Sequence, residues 1–118
     1  MTPLAEIIYR RLVRRLRAGH TSITYGALAR SLGRRATHHR DKRFHAALGE
    51  IAHACRHSGL PCLPAIVWRA DTDEPAAGYF AVAHPRAHTD GARRAAWQRE
   101  HDRVARAAPR YPPTLLRR

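Results

Sequence analysis

Two amphipathic segments joined by a polar, basic stretch constrain the fold of this chain more than any other feature. In the first segment, Thr24 can cap a helix, two leucines four residues apart share one face, and Gly33 can adopt the left-handed conformation that ends it. These signals predict a short helix over about 25 to 32. Residues 34 to 43 contain a single apolar side chain, an alanine, and should form a solvated turn or loop.

The second segment has apolar residues at helical spacing. Phe44, Leu48, Ile51 and Cys55 recur every three or four positions, which predicts a helix over about 43 to 57. The opposite face of this helix carries small or basic groups that can approach a polyanion, namely His45, Gly49, His53 and Arg56. Together the two segments indicate a helix-turn-helix.

Positive charge is concentrated in the same part of the chain. The net charge is +13, and residues 1 to 70 contain 13 lysines and arginines against three acidic residues. Residues 71 to 118 contain nine basic and six acidic residues. Such an excess is typical of a protein that binds nucleic acid, and the alternative is the solvated surface of a chain rich in arginine and alanine.

A helix is also expected before the helix-turn-helix. Thr2 and Pro3 suit its cap and first turn, apolar residues follow at intervals of four, and Gly19 comes after its end. Its other faces carry a row of arginines. This row is either a solvated helix face or a surface that rests along a phosphate backbone.

The periodicity changes after the second helix of the motif. Residues 63 to 68 and 78 to 82 are rich in β-branched and aromatic side chains, and the turn-forming cluster 71 to 75 lies between them. This pattern predicts a β-hairpin, the wing of a winged helix, whose acidic tip should face away from nucleic acid. Asp90 can then cap a last helix over about 91 to 108.

The expected fold class is therefore α+β and mainly α: a winged helix-turn-helix with an N-terminal helix, a β-hairpin wing and a C-terminal helix. Residues 1 to 108 should form a single domain, and residues 109 to 118 a basic, proline-rich tail. No window approaches the ~20 apolar residues that span a bilayer, and no signal-peptide pattern is present, so a cytoplasmic location is expected.

The order of these motifs resembles a known family. Residues 24 to 29 (Thr-Tyr-Gly-Ala-Leu-Ala), the Ala47-Leu48-Gly49 of the second helix, residues 66 to 69 (Ile-Val-Trp-Arg) and Gly78-Tyr79 are similar to the winged-helix domain of the O6-alkylguanine-DNA alkyltransferases and alkyltransferase-like proteins. The resemblance covers about residues 4 to 80 and rests on short motifs. It implies a protein that docks on duplex DNA and possesses a tyrosine, here Tyr25, that pushes a nucleotide out of the base stack.

The chain departs from that family at two positions. The nucleophile motif Pro-Cys-His-Arg is absent, because Cys62 is followed by Leu63 and Pro64. Alkyltransferase-like proteins replace the nucleophile, often by tryptophan, which would correspond to Trp68. The arginine that family members insert into the duplex is replaced by Ala46.

Taken with the basic segment, the resemblance defines a set of candidate DNA contacts and no catalytic residue. The candidates are Thr24, Tyr25, Arg34, Arg35, His38, His39, Arg40, Lys42, Arg43, His45, Trp68 and Arg69. The expected partner is double-stranded DNA, read at modified or damaged bases or at ordinary sites. The alternative is an interaction module that binds RNA or an acidic protein.

Neither a metal site nor an enzyme is favoured. Cys55 and Cys62 should be unpaired thiols, and although His53 and His57 could share a metal on one helical turn, no second ligand pair stands at suitable spacing. Glycine-rich phosphate loops, nucleophile elbows and spaced carboxylate pairs are missing. Residues 84 to 90 contain histidines and an aspartate that a nuclease site could use, but this segment has the composition of a polar loop. We therefore expect no cofactor and no catalysis.

Overall fold

The computed structural model describes residues 1 to 33 and 40 to 115, which are mainly helical. Helix α1 spans Pro3–Arg17, and the Thr2 side chain accepts a hydrogen bond from the Ala5 amide, as the cap signals predicted. The buried face of α1 consists of Ala5, Ile8, Tyr9, Leu12, Val13 and Leu16. Gly19 has a φ of 91°, a conformation that allows the chain to turn directly after the helix.

The two helices of the central motif form as the sequence predicts. Helix α2 spans Tyr25–Ser31, with Thr24 as its cap, and Gly33 follows it with a φ of 91°. Helix α3 spans Lys42–His57 and begins at an Asp41 cap. Residues 34 to 39, where the solvated turn was expected, lie outside the described part of the chain.

The predicted β-hairpin does not form. Leu63–Ile66 is a 3-10 helix, and only Val67–Trp68 is a strand, β2. Strand β2 pairs in parallel with β1, Ile23–Thr24, in register Ile23 to Val67 and Thr24 to Trp68.

The segment expected to be the second hairpin strand is instead helix α4, Ala77–Ala83. The neighbouring side chains of Tyr79 and Phe80 are both buried, which a strand cannot achieve on one face, and the surrounding alanines favour a helix. The turn predicted between the two segments is present. The Arg69 amide donates to the Glu74 carbonyl, and the Asp73 amide donates to the Arg69 carbonyl.

Helix α5 spans Asp90–Arg106 and buries Trp97 and Val104, which the sequence placed seven residues apart on one face. Its cap is Thr89 rather than the predicted Asp90. The Thr89 hydroxyl accepts from the Ala92 amide at 3.1 Å, and Asp90 takes the first helical position, where a carboxylate favours the positive end of the helix dipole.

After α5, the chain packs against the core as far as residue 112. This part of the chain does not form an extended tail. A 3-10 helix, Ala108–Arg110, leads into Tyr111, which is fully buried. The Tyr111 hydroxyl donates to the Pro61 carbonyl at 2.6 Å, and the Tyr9 hydroxyl donates to the Pro112 carbonyl at 2.6 Å. These two hydrogen bonds attach residues 111 and 112 to the core.

The core is one cluster in which α3 is central. Helix α1 packs on one side of α3, α4 packs on another, and α5 packs on the 3-10 helix Leu63–Ile66. In the described ranges, no helix has the length and apolar character needed to cross a membrane.

Candidate nucleic-acid interface

A cavity with several basic side chains opens where α2, the start of α3 and the segment after β2 meet. Its volume is about 600 Å³, and its basic lining consists of Arg30, Arg40, His45 and Arg69. We call it the basic cleft. Asp71 is the acidic residue in its lining.

The small sheet fixes one wall of the basic cleft. Thr24 closes β1 and pairs with Trp68 of β2, while its hydroxyl accepts from the Ala27 amide at 3.1 Å and starts α2. The first turn of α2 is therefore tied to the strand that leads into Arg69. This arrangement brings the predicted contacts Thr24 and Arg69 into one site, although they are 45 positions apart in the sequence.

Arg69 is held by an acidic neighbour. Its Nε and Nη2 atoms donate to the two Asp71 carboxylate oxygens at 2.9 and 2.7 Å. These hydrogen bonds hold the pKa of Asp71 below its usual range, so the carboxylate is charged at neutral pH. The acidic turn was expected to face away from the binding surface, but Asp71 lines the basic cleft, where its carboxylate accepts both hydrogen bonds from Arg69.

Tyr25 is a buried wall of the basic cleft and not an exposed contact. Its side chain is 7% exposed, and its hydroxyl accepts a hydrogen bond from the Ala76 amide at 2.8 Å. Its ring meets Phe44 edge-on, with centroids 6.3 Å apart, and meets His45 at 5.3 Å. Burial raises the pKa of Tyr25, so it remains a neutral phenol. This candidate DNA contact therefore packs as part of the core.

A second cavity adjoins the basic cleft. It measures about 350 Å³ and shares Tyr25, His45, Arg69 and Ala76 with the cleft. We call it the inner pocket. Its remaining lining is apolar or small: Leu48, Gly49, Ala52, Pro64, Ala77, Gly78 and Tyr79.

The remaining candidate residues that the structure describes lie outside the lining of the basic cleft. Lys42 and Arg43 are exposed at the start of α3, and neither lines the cleft. Arg43 pairs with the Asp41 cap at 3.0 Å. Trp68 is half-buried in β2 and lines neither cavity. Four candidates lie outside the described residues: Arg34, Arg35, His38 and His39.

Sequence reasoning missed Arg30. It lies four residues after Gly26 on α2, and both residues line the basic cleft. A small residue and an arginine at this spacing lie on one helix face, which is the signal that could have identified it. No ion pair of Arg30 is present among the described residues.

The two cysteines are buried and not joined by a disulfide. Burial raises the pKa of Cys55 to about 11 and raises that of Cys62 further, so both are protonated thiols at neutral pH. A thiol reacts as its thiolate, and a protonated, buried group is a poor nucleophile. Within residues 1 to 33 and 40 to 115, no cluster of three histidine, cysteine or acidic side chains could hold a metal ion.

Comparisons of the chain with protein-family models, with curated proteins and with solved structures find no match. The resemblance to the alkyltransferase superfamily therefore remains a prediction that rests on the short motifs quoted above.

Proposed function

We propose that this chain is a non-catalytic DNA-binding protein that docks its basic cleft on duplex DNA. The observation that carries the proposal is the set of basic side chains from three separate elements that line one open cavity: Arg30, Arg40, His45 and Arg69. Guanidinium groups match phosphate oxygens in pairs, and contacts to phosphate supply most of the affinity of non-specific DNA binding.

The three acidic residues of the first 70 positions lie outside the basic cleft. Glu6 pairs with Arg10 at 3.2 Å, Asp41 pairs with Arg43 at 3.0 Å, and Glu50 accepts hydrogen bonds from Thr2. None of these three carboxylates lines the basic cleft. With Asp71 as the acidic residue of the lining, the arginines of the cleft outnumber its carboxylates by three to one, which favours the approach of a polyanion.

The inner pocket supports a finer proposal, that the protein reads a modified or damaged base. An unstacked base needs a mainly apolar recess beside a phosphate-binding surface, with an aromatic wall to stack on. Tyr25 and Tyr79 supply aromatic walls, and the pocket opens beside the cleft. The buried thiols and the missing Pro-Cys-His-Arg motif favour recognition without transfer of the alkyl group.

Salt dependence tests the docking proposal. Binding to a fluorescent 20-base-pair duplex is measured by anisotropy over a salt series. If the helix-turn-helix face and the basic stretch 34 to 43 together neutralise about six phosphates, the log-log slope is near −5, from roughly −0.9 per phosphate. The Arg30→Gln variant should make the slope less negative by about 0.9. The control is Arg99→Gln on α5, an exposed arginine outside both cavities, which should leave the slope unchanged.

A slope between 0 and −1 for the unaltered protein on B-form DNA would contradict the proposal. Tighter and equally salt-dependent binding to single-stranded RNA would favour the alternative of an RNA-binding module.

Filling the inner pocket tests the finer proposal. A side chain at Gly49 would project into open space, so Gly49→Leu fills the pocket without backbone strain. Affinity is compared for an unmodified duplex and for the same duplex with one O6-methylguanine. The variant should lose any preference for the modified duplex and keep its affinity for the unmodified one, whereas Gly91→Leu on α5 should keep both. Equal preference in the unaltered protein and in Gly49→Leu would exclude the inner pocket as the reading site.

A further inference from the structure

The outer side of α1 carries a row of arginines that neither cavity uses. Arg10, Arg14 and Arg17 are exposed, and Arg11 and Arg15 are half-exposed beside them. We call these five residues the α1 arginine face. Residues 10, 14 and 17 follow helical spacing, so they form one line along the helix.

The α1 arginine face lies on the opposite side of α3 from the basic cleft. His45 and Gly49 of α3 line the cavities, whereas Glu50 accepts hydrogen bonds at 3.0 and 2.9 Å from the Thr2 amide and hydroxyl at the start of α1. At 3.6 residues per turn, Glu50 lies about 140° around α3 from His45. Helix α1 therefore covers the back of α3, and its exposed side points away from the cleft.

Acidic neighbours neutralise little of the charge of this face: Arg10 alone of the five forms an ion pair, with Glu6 at 3.2 Å, among the described residues. Glu6 is the acidic residue of α1, is 8% exposed, and already receives hydrogen bonds from Arg10 and from the Thr114 hydroxyl. Arg17 donates to the Tyr111 carbonyl. For Arg11, Arg14 and Arg15, no acidic partner lies within ion-pair distance in the described parts of the chain.

Helix α5 provides the contrast, because it also carries five arginines. Arg94 pairs with Glu74 at 3.1 Å and Arg103 pairs with Glu100 at 2.7 Å, while Asp90 and Asp102 add two further negative charges on the helix. Five arginines on α5 therefore stand beside four carboxylates, whereas five arginines on the α1 arginine face stand beside one, that of Glu6.

We infer that the α1 arginine face binds the phosphate backbone of a second duplex, so that one molecule bridges two DNA segments. This inference rests on the proposed docking of the basic cleft on DNA. From Arg10 to Arg17 the helix rises about 10 Å. Duplex DNA carries one negative charge per about 1.7 Å of its axis, so a duplex that lies along this face places several phosphates within reach of its arginines.

A duplex fits this face better than a lipid surface does. Binding of a helix in the membrane interface requires an apolar face that enters the acyl region. The exposed large hydrophobic side chain among the described residues is Ile7, and a single isoleucine does not provide such a face.

A two-duplex capture assay tests the inference. One duplex is fixed on beads, a second fluorescent duplex is added, and protein-dependent retention of fluorescence is measured. The test variant is Arg11→Gln/Arg14→Gln/Arg15→Gln, which keeps strong helix formers on α1. The matched control is Arg86→Gln/Arg99→Gln/Arg106→Gln, which removes the same charge from exposed positions elsewhere. Circular dichroism melting confirms that both variants fold.

The unaltered protein and the control should retain the second duplex. The test variant should lose retention at least tenfold, with affinity and salt slope for a single duplex within experimental error of the unaltered protein. Equal retention by the test variant would overturn the inference, since bridging would then arise elsewhere, for example through dimers. Loss of single-duplex binding in the test variant would also overturn it, because α1 would then belong to the first binding face.

The two proposals fail in different ways. If the unaltered protein binds one duplex with a steep salt slope but retains no second duplex, the inference is wrong and docking by the basic cleft stands. If it binds no duplex at all, the proposed function itself is wrong, and the bridging inference is overturned with it.

Discussion

The ion pair between Arg69 and Asp71 makes a quantitative prediction about DNA binding. Asp71 accepts both guanidinium hydrogen bonds, at 2.9 and 2.7 Å, inside the basic cleft. A phosphate that approaches Arg69 must replace this carboxylate. The Asp71→Asn substitution keeps a hydrogen-bond acceptor of the same size but removes the negative charge, so it should increase DNA affinity.

The magnitude follows from counterion release. If the substitution allows Arg69 to neutralise one additional phosphate, the log-log salt slope becomes more negative by about 0.9. The ratio of the variant's binding constant to that of the unaltered protein then grows about eightfold for each tenfold decrease in salt. Anisotropy titrations with one duplex between low and moderate salt measure both quantities.

Asp73→Asn is the matched control for this experiment. It removes the same charge from the same turn, but Asp73 does not line the cleft or pair with Arg69. Asp73 has a φ of 56°, a left-handed conformation that asparagine tolerates well. An unchanged slope in Asp71→Asn, or an equal change in both variants, would refute the view that Asp71 competes with phosphate for Arg69.

Three further outcomes follow from buried groups. Tyr25→Ala should lower the free energy of unfolding by about 3 to 5 kcal/mol in urea titrations, because it empties a core position and leaves the Ala76 amide without its acceptor; an unchanged midpoint would contradict this. Incubation with duplex DNA that contains O6-methylguanine should add no methyl group to Cys62 in intact-mass analysis, since the thiol is buried and protonated, and a gain of one methyl group would show catalysis. Burial lowers the pKa of His84, whose Nε2 lies 2.8 Å from the Tyr79 hydroxyl. Folding therefore favours the neutral imidazole. The resulting stabilisation is lost as the pH falls from 6.5, the pKa in the unfolded chain, through the lower pKa in the folded protein. The melting-temperature difference between the unaltered protein and His84→Gln should therefore be smaller at pH 5 than at pH 7.5, and a larger difference at pH 5 would reverse the sign of this argument.

Helices α1, α2, α3 and α5 could be predicted from the sequence because their signals are local. Thr2, Thr24 and Gly33 take the cap and stop positions that their side chains or missing side chains suit. Helix α4 was missed and its segment was predicted as a hairpin strand, because a run such as residues 78 to 82 satisfies both strand and helix propensities. Contacts with the rest of the core decide between them, and here Tyr79 and Phe80 are buried together.

The basic cleft was only partly predictable for a related reason. Thr24, Arg40, His45 and Arg69 were identified as candidates and line one cavity, since residue type and charge are read directly from sequence. Whether a side chain points into a cavity or into the core depends on tertiary packing. Tyr25 illustrates this, because its hydroxyl finds the Ala76 amide, 51 positions further along the chain.

The hydrogen bonds of Tyr9 and Tyr111 have a consequence for the order in which the protein can fold. The Tyr9 hydroxyl donates to Pro112, across a separation of 103 residues, and Tyr111 occupies a fully buried site beside α1. During synthesis, α1 is made before residues 111 and 112 and cannot complete its buried surface until they have left the ribosome. Contacts between such distant positions slow folding, since the loop-closure entropy is lost before the contacts form. A nascent chain that lacks residues 111 and 112 leaves part of the apolar side of α1 uncovered, so the core closes only after these residues have been synthesised.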